Sequence, residues 1–277
     1  MNRRHAPNSH NSLVGIGLLL GSVACFATLD TTTKYVSTGV PLLMALWFRY
    51  TFQAVATTLV ILPMRGLRVL KTSHPRYQLL RGLLLMGSTS LAFFSLKHTP
   101  VAEFTAIIML TPLLITVLAA WKLRERISVL RWLLVVGGFT GTLIIIRPNS
   151  DDFNWALLLP LALVGISAWF QILTSKMART EDPVTMHLYT GWVGTVAASL
   201  VLPFVWTRIE SPAFWAAMVL VGLAGSVGHF LLILAYQRAP AAVLTPYLYG
   251  QIGFAMLGGW LVFSQIPDFW SLIGIAM

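Results

Sequence analysis

A chain of 277 residues that is 57% hydrophobic and only 10% charged, with a mean hydropathy of +0.77, has too little polar surface to cover a soluble globule; it reads as an integral membrane protein. Its formal charge of +10 would suit nucleic acid in a soluble chain, but the basic residues stand in short loops between apolar runs. Topology explains them better than a partner does, so the expected surroundings are the lipid bilayer and no nucleic acid.

The polar start, residues 1–12, runs into a long apolar stretch without a small-residue cleavage site and reads as a retained cytoplasmic tail. The single cysteine, Cys25, lies inside that stretch and excludes an intramolecular disulfide. Spans follow near 13–33, 42–62, 79–96, 102–121, 129–146, 155–174, 185–206, 213–235 and 241–263, with a tenth beginning near 269. Connections are mostly short, so the expected fold is an all-α membrane bundle of about ten helices.

The bundle divides in two. Lys97 to Arg126 returns without a gap at Gln237 to Ile266, a shift of 140 that sets Pro100 on Pro240, Ala102 on Ala242 and Thr105 on Thr245. An earlier pair repeats at a shift of 142, with Lys34 on Lys176 and Pro41 on Pro183. The expected units are a first five-helix repeat over 13–147 and a second over 155–277. Fourteen of the loop Lys and Arg residues fall on the N-terminal side and four, Lys34, Lys97, Arg147 and Arg208, on the other. By the positive-inside rule both termini are expected in the cytoplasm of a cell inner (plasma) membrane protein. Five spans per half then invert the second repeat relative to the first, as in many secondary transporters. From Phe269 to Met277 only nine residues remain, about 13 Å of helix. The last helix is therefore expected to be truncated.

These stretches carry a family resemblance. With SLKHTPVAEFTA from Ser95, the loop pair Glu125-Arg126, VVGGFTGTLIIIRP from Val135 and AYQRAPAAVLTPYLYGQ from Ala235, the chain resembles the EamA-type ten-helix branch of the drug/metabolite transporter superfamily over nearly its whole length. Gln265 and Ile266 depart from the first half's Glu125 and Arg126. Within the branch, RGLLL at Arg81, TPYLYGQ at Thr245 and IPD ending at Asp268 are similar to members that take up S-adenosylmethionine or related metabolites. The resemblance implies a central cavity lined by helices 1, 3, 4, 6, 8 and 9, with alternating access between the halves. Pro112, Pro160 and Pro246 stand where bent helices would serve such a cavity.

Candidate residues of the substrate pathway come from polar groups at membrane depth. Asp30 and Arg49 each cost a few kcal/mol at depth unless paired or wet; they fit a gate or substrate site, or a structural ion pair. Glu103 begins the fourth span, where a carboxylate suits a helix N-terminus as well as a bound cation or a coupled proton. His229, read as the one histidine well within a span, suits proton relay or interhelical packing. Tyr247 and Gln251 are four apart and expected on one helix face, with Tyr249 on another. Together with Phe93, Phe94 and Trp169 they suit an aromatic-lined pocket. Trp47, Trp121 and Trp206 read first as interfacial or packing residues. Gly17 with Gly21, and Gly137 with Gly141, have the spacing for close helix approach within the chain or between copies.

The expected activity is a secondary transporter moving a small-molecule substrate, an organic metabolite or drug, with proton coupling open. A membrane-embedded enzyme lacks support: there is no H-E-x-x-H, G-x-S-x-G or Walker A motif. No catalytic residue, cofactor or metal is expected. A lipid-facing scaffold is the remaining alternative, and it would not need an inverted repeat.

Overall fold

The computed structural model describes residues 9–98, 107–146, 158–264, 269–270 and 273. Among these, all regular structure is helical, which is how a chain in hydrocarbon satisfies its backbone N–H and C=O groups without water. The long helices are α1 (Ser9–Val36), α2 (Leu42–Arg65), α3 (Pro75–His98), α4 (Thr111–Lys122), α5 (Val129–Ile146), α6 (Leu158–Met177), α7 (Pro183–Ser199), α8 (Pro212–Arg238) and α9 (Gly250–Phe263). Residues 11–36, 42–70, 158–177 and 212–238 are long and apolar enough to cross a membrane. Many large apolar side chains point outward, among them Leu59, Val129, Leu130, Leu133 and Val196. On an integral membrane protein that surface faces lipid rather than water.

The bundle has two ends. One gathers the α1–α2 turn around Lys34, where Lys34 Nζ lies 5.0 Å from the Phe263 ring. The other gathers Arg65, residues 72–74, the α4–α5 loop and the α6–α7 loop. There Gly66 closes α2 at φ 65°, a left-handed position that suits glycine. Asp182 caps α7, accepting from the Val184 and Thr185 N–H groups at 2.7 and 3.4 Å. α1 therefore finishes at the Lys34 end, whereas α6 finishes at the Arg65 end.

Helix α1 packs along α8, and α3 along α6; α2 packs on α7 and α8, and α3 on α7. The segment leading into α9 and α9 itself lie on α1, while α4 lies on α6. Glycines permit the closest crossings: a Cβ at Gly82 would stand 2.6 Å from Val193 Cβ, and one at Gly222 would stand 2.6 Å from the Phe52 ring. Of the glycines expected to serve close approach, Gly17 and Gly137 meet nothing within 4 Å, and Gly21 meets Leu231. The tight α1–α8 contact uses Gly228 instead, whose carbonyl accepts from Ser22 Oγ at 2.8 Å.

Three differences from the expected spans bear on the site. The third helix starts at Pro75, four residues earlier, so Arg81 sits well inside it rather than at its first residues; a proline is at home in a first helical turn, where its missing N–H is not needed. The seventh helix stops at Ser199 and is followed by a single turn, Leu202–Val205. The ninth span is not one helix: a turn at Ala241–Leu244 passes into a 3₁₀ segment at Thr245–Tyr249 before α9 begins. Pro246 causes the break, because its ring collides with the carbonyl four residues back and it offers no N–H to an α-helix. Pro112 lies in the first turn of α4 and Pro160 in the first described turn of α6, where neither need bend a helix. Most of the expected tenth span, and residues 1–8, lie outside the described residues.

Candidate functional site

A cavity of about 190 Å³ lies between α1, α2, α3, α6, α8 and the starts of α4 and α9. Its walls are largely apolar, with Phe26, Phe93 and Phe170 among them. Into this wall the fold sets a few polar side chains: Asp30 from α1, Arg49 from α2, Ser88 and Thr89 from α3, Ser167 and Gln171 from α6, His229 from α8 and Gln251 from α9. A mostly apolar cleft with a few convergent polar groups is the usual form of a small-molecule site.

Arg49 is 1% exposed. One guanidinium nitrogen donates to Thr89 Oγ1 at 3.2 Å, and the group lies 4.7 Å from the Tyr50 ring centroid. Tyr50 Oη in turn shares a 3.1 Å hydrogen bond with Thr89 Oγ1. Among the described residues, Arg49 Nε has no hydrogen-bond partner. His229, 7% exposed, stands between the rings of Phe26 and Phe170, at centroid distances of 4.7 and 5.8 Å, and its Nδ1 is also without a partner. Asp30 Oδ2 accepts from Gln251 Nε2 at 2.9 Å. Asp30 and Arg49 share the cavity, but among the described residues no carboxylate lies within 4.0 Å of Arg49, so they are not a structural ion pair. Arg49 is turned instead toward α3 and Gly225 of α8.

A second cavity, about 330 Å³, opens at the Lys34 end and is lined by Thr33, Lys34, Pro41, Phe94 and Val205 among others. Phe93 lines both cavities and is 5% exposed, so its ring stands between them. The Arg65 end is tied. Glu125 accepts from Arg179 and, at 3.0 Å, from the Ala242 N–H at the start of the broken ninth span. Arg65 pairs with Asp182 at 3.1 Å. Glu181 accepts from Thr72 Oγ1 at 2.8 Å and the Ser73 N–H at 3.1 Å, and bonds His74 Nδ1 at 2.8 Å. Burial pushes the Glu181 carboxyl up, and the bonds to His74, Thr72 and Ser73 more than offset that, holding it below its ordinary value.

Of the sequence candidates, Asp30, Arg49, His229 and Gln251 meet at the central cavity, and Phe94 lines the Lys34-end cavity. Trp169 lies in neither: it is 45% exposed, with Lys122 Nζ 5.7 Å from its ring. Tyr249 turns to α5 and α4, against Gly138 and with its hydroxyl donating to the Met109 carbonyl at 3.2 Å. Tyr247 is half-exposed and outside both cavities, so it does not share a face with Gln251. The four-residue spacing presumed an α-helix, and the 3₁₀ segment turns about 120° per residue instead of 100°. Glu103 lies outside the described residues.

The sequence reading missed three partners. Thr89 orients Arg49, and Phe170 faces His229. His187 on α7 is a second buried histidine within the bundle, bonded to Ser226 Oγ at 3.0 Å and to Gln53. Arg81 was the further omission: it is wholly buried, bonded to Thr174 at 2.9 Å, the Met186 carbonyl at 2.7 Å and Thr190 at 2.5 Å. Starting the third helix at Pro75 would have placed Arg81 about 9 Å along it, which was the available signal.

The sequence pattern of the EamA-like transporter family matches residues 13–147. An S-adenosylmethionine uptake transporter of Rickettsia felis is 31% identical over 267 residues, covering 95% of this chain and 88% of that protein. A riboflavin transporter of Vibrio cholerae is 27% identical over 272 residues, covering 97% and 91%. A solved crystal structure superposes with a TM-score of 0.76 over 97% of this chain and 93% of the other at 20% identity, a likeness of fold.

Proposed function

The chain belongs to the EamA-like transporter family, and from that premise we propose that it is a secondary carrier that binds a small organic metabolite in the central cavity and moves it by alternating access between two inverted five-helix repeats. The observation that carries this reading is a largely apolar cavity, lined by helices from both halves, into which Asp30, Arg49, His229 and Gln251 are set.

The packing supports the inverted repeat. Exchanging α1 with α6, α2 with α7, α3 with α8 and α4 with α9 turns the α1–α8 contact into α6–α3, the α2–α8 contact into α7–α3 and the α1–α9 contact into α6–α4, all of which occur. Such an exchange is what a two-fold axis in the membrane plane produces. Gly82 and Gly222 (222 − 82 = 140) make the matching close crossings, on α7 and α2. Tyr249 bonds Met109, its own counterpart (249 − 109 = 140). On this reading the units are 13–147 and 155–277.

Lysine and arginine bias puts the Arg65 end in the cytoplasm, with both termini, in an inner-membrane setting. The ties of Glu125, Asp182 and Glu181 then close the cytoplasmic end, and the cavity at the Lys34 end leads outward past Phe93. This is an outward-facing arrangement, and the opposite one requires those ties to part. The relatives named for S-adenosylmethionine and riboflavin support a solute in that size range.

The test is solute counterflow in proteoliposomes holding the purified protein, with and without a proton gradient. Accumulation that depends on the protein and on internal unlabelled solute is expected. Its absence for every metabolite in a broad screen would sink the carrier reading. Orientation is checked separately in a Cys25→Ser background: an impermeant thiol reagent added outside should label Thr38→Cys and leave Ser73→Cys unlabelled.

A further inference from the structure

Resting on the carrier reading, the geometry points to a bound solute that carries an α-amino-acid end, its carboxylate held by Arg49 and its ammonium by Asp30, with its body against Phe26, Phe93 and Phe170. The argument begins with an imbalance. A guanidinium taken out of water is costly unless a counter-charge or a full set of acceptors replaces hydration. Arg49 is 1% exposed, yet it has one neutral hydroxyl partner, one ring face and an Nε with none. His229 lines the same cavity, and its Nδ1 is a second buried polar atom without a hydrogen-bond partner among the described residues. A carboxylate is the group that suits the guanidinium, since it accepts charge-assisted bonds from such a fork.

The opposite charge is also present. Asp30 accepts one bond, from Gln251, on Oδ2, and lines the same cavity without pairing to Arg49. A cationic and an acidic side chain that share a cavity without a salt bridge between them are complementary to a zwitterion. A phosphate would meet Asp30 with like charge and find one arginine where it wants several donors. A neutral flavin would leave both charges unpaired, and a site whose buried polar groups go unpaired discriminates strongly against such a ligand. The three phenyl rings suit a flat or cationic body through stacking and cation–π contact.

The experiment measures binding and counterflow with four probes: S-adenosylmethionine, its decarboxylated analogue, its analogue lacking the amino group, and riboflavin. In the unaltered protein S-adenosylmethionine should be preferred over each of the others by at least about tenfold. In Arg49→Gln the preference over the decarboxylated probe should fall below about threefold while that over the des-amino probe persists; in Asp30→Asn the reverse should hold. These reciprocal ratios are read within one variant, so a general loss of protein does not move them, and either variant alone suffices if the other fails to fold. If riboflavin is carried and neither analogue is discriminated, the head-group assignment is overturned and the carrier stands. If none of the four binds or moves while another solute shows counterflow, the assignment is likewise overturned with the carrier intact.

Discussion

Two arginines are buried to the same degree in this bundle, and their surroundings differ in kind. Arg81 is wedged between α3, α6 and α7, with hydrogen bonds to Thr174, Thr190 and the Met186 carbonyl and with Phe170 5.2 Å below its guanidinium. Arg49 has Thr89, the face of Tyr50 and an open Nε beside a cavity. Neither has a carboxylate within 4.0 Å among the described residues. A buried cation that finds its acceptors within the protein fixes helices in place; one left short of acceptors is what a bound anion would complete, the role proposed for Arg49. Phe170 touches both situations, stacking on Arg81 and standing edge-on to His229 in the cavity wall.

The largest expected effect separates the two by stability. Arg81→Ala removes a wholly buried side chain and opens a gap between three helices, a loss of roughly 2–5 kcal/mol by the cost of large-to-small core changes. Arg49→Ala opens space into a cavity that water can enter, so its cost should be less than half as great. Thermal melts in detergent check this, and equal losses would erase the distinction. A smaller effect isolates position from charge. A methyl group at Gly225 would stand 2.6 Å from Arg49 Nε and 3.3 Å from its Cδ, so Gly225→Ala must displace the guanidinium without removing it. The expected outcome is a KM raised roughly tenfold, because a small misplacement of a binding group is costly, with a melting temperature within about 2 °C of the parent. An unchanged KM would mean that the position of Arg49 is immaterial to the solute.

How much of this was legible in the sequence follows from what the signals measure. Apolar run length reports whether a segment must sit in lipid, and it located the helical bundle and its end-to-end order. The gapless return of Lys97–Arg126 at Gln237–Ile266 suggested a repeat, and the glycines at 82 and 222, set apart by the same shift, make the matching close crossings of the proposed halves. Intramembrane charge flagged Asp30, Arg49 and His229, because any such group demands an explanation. What spacing could not report is partner choice. Asp30 and Arg49 looked like a pair because both are charged, yet Gln251 and Thr89 take them. Tyr247 was placed by an α-helical period that Pro246 abolishes. Arg81 drew no notice as a site residue because the expected span began at residue 79 and left it at the helix end, whereas the helix itself begins at Pro75.

The smallest expected effect extends the comparison from arginines to carboxylates. Glu181 at the Arg65 end is to Asp30 as Arg81 is to Arg49: it is almost enclosed and fully engaged with Thr72, Ser73 and His74, whereas Asp30 has Gln251 alone. Burial raises the Glu181 carboxyl and those bonds lower it by more, so in the folded protein it holds its proton less tightly than in the unfolded chain. The sign follows from linkage. A depressed carboxyl contributes stability that is fully present above the unfolded value near 4.5 and is lost as pH falls through the lower folded value. Between pH 7 and pH 3.5 the parent should therefore lose more melting temperature than Glu181→Gln does, by on the order of 2 °C. The glutamine keeps the shape and one acceptor but has no proton to gain, so the difference reads the carboxylate alone. Parallel losses in the two proteins would show that the Arg65-end tie draws nothing from ionised Glu181, and that its three contacts are packing.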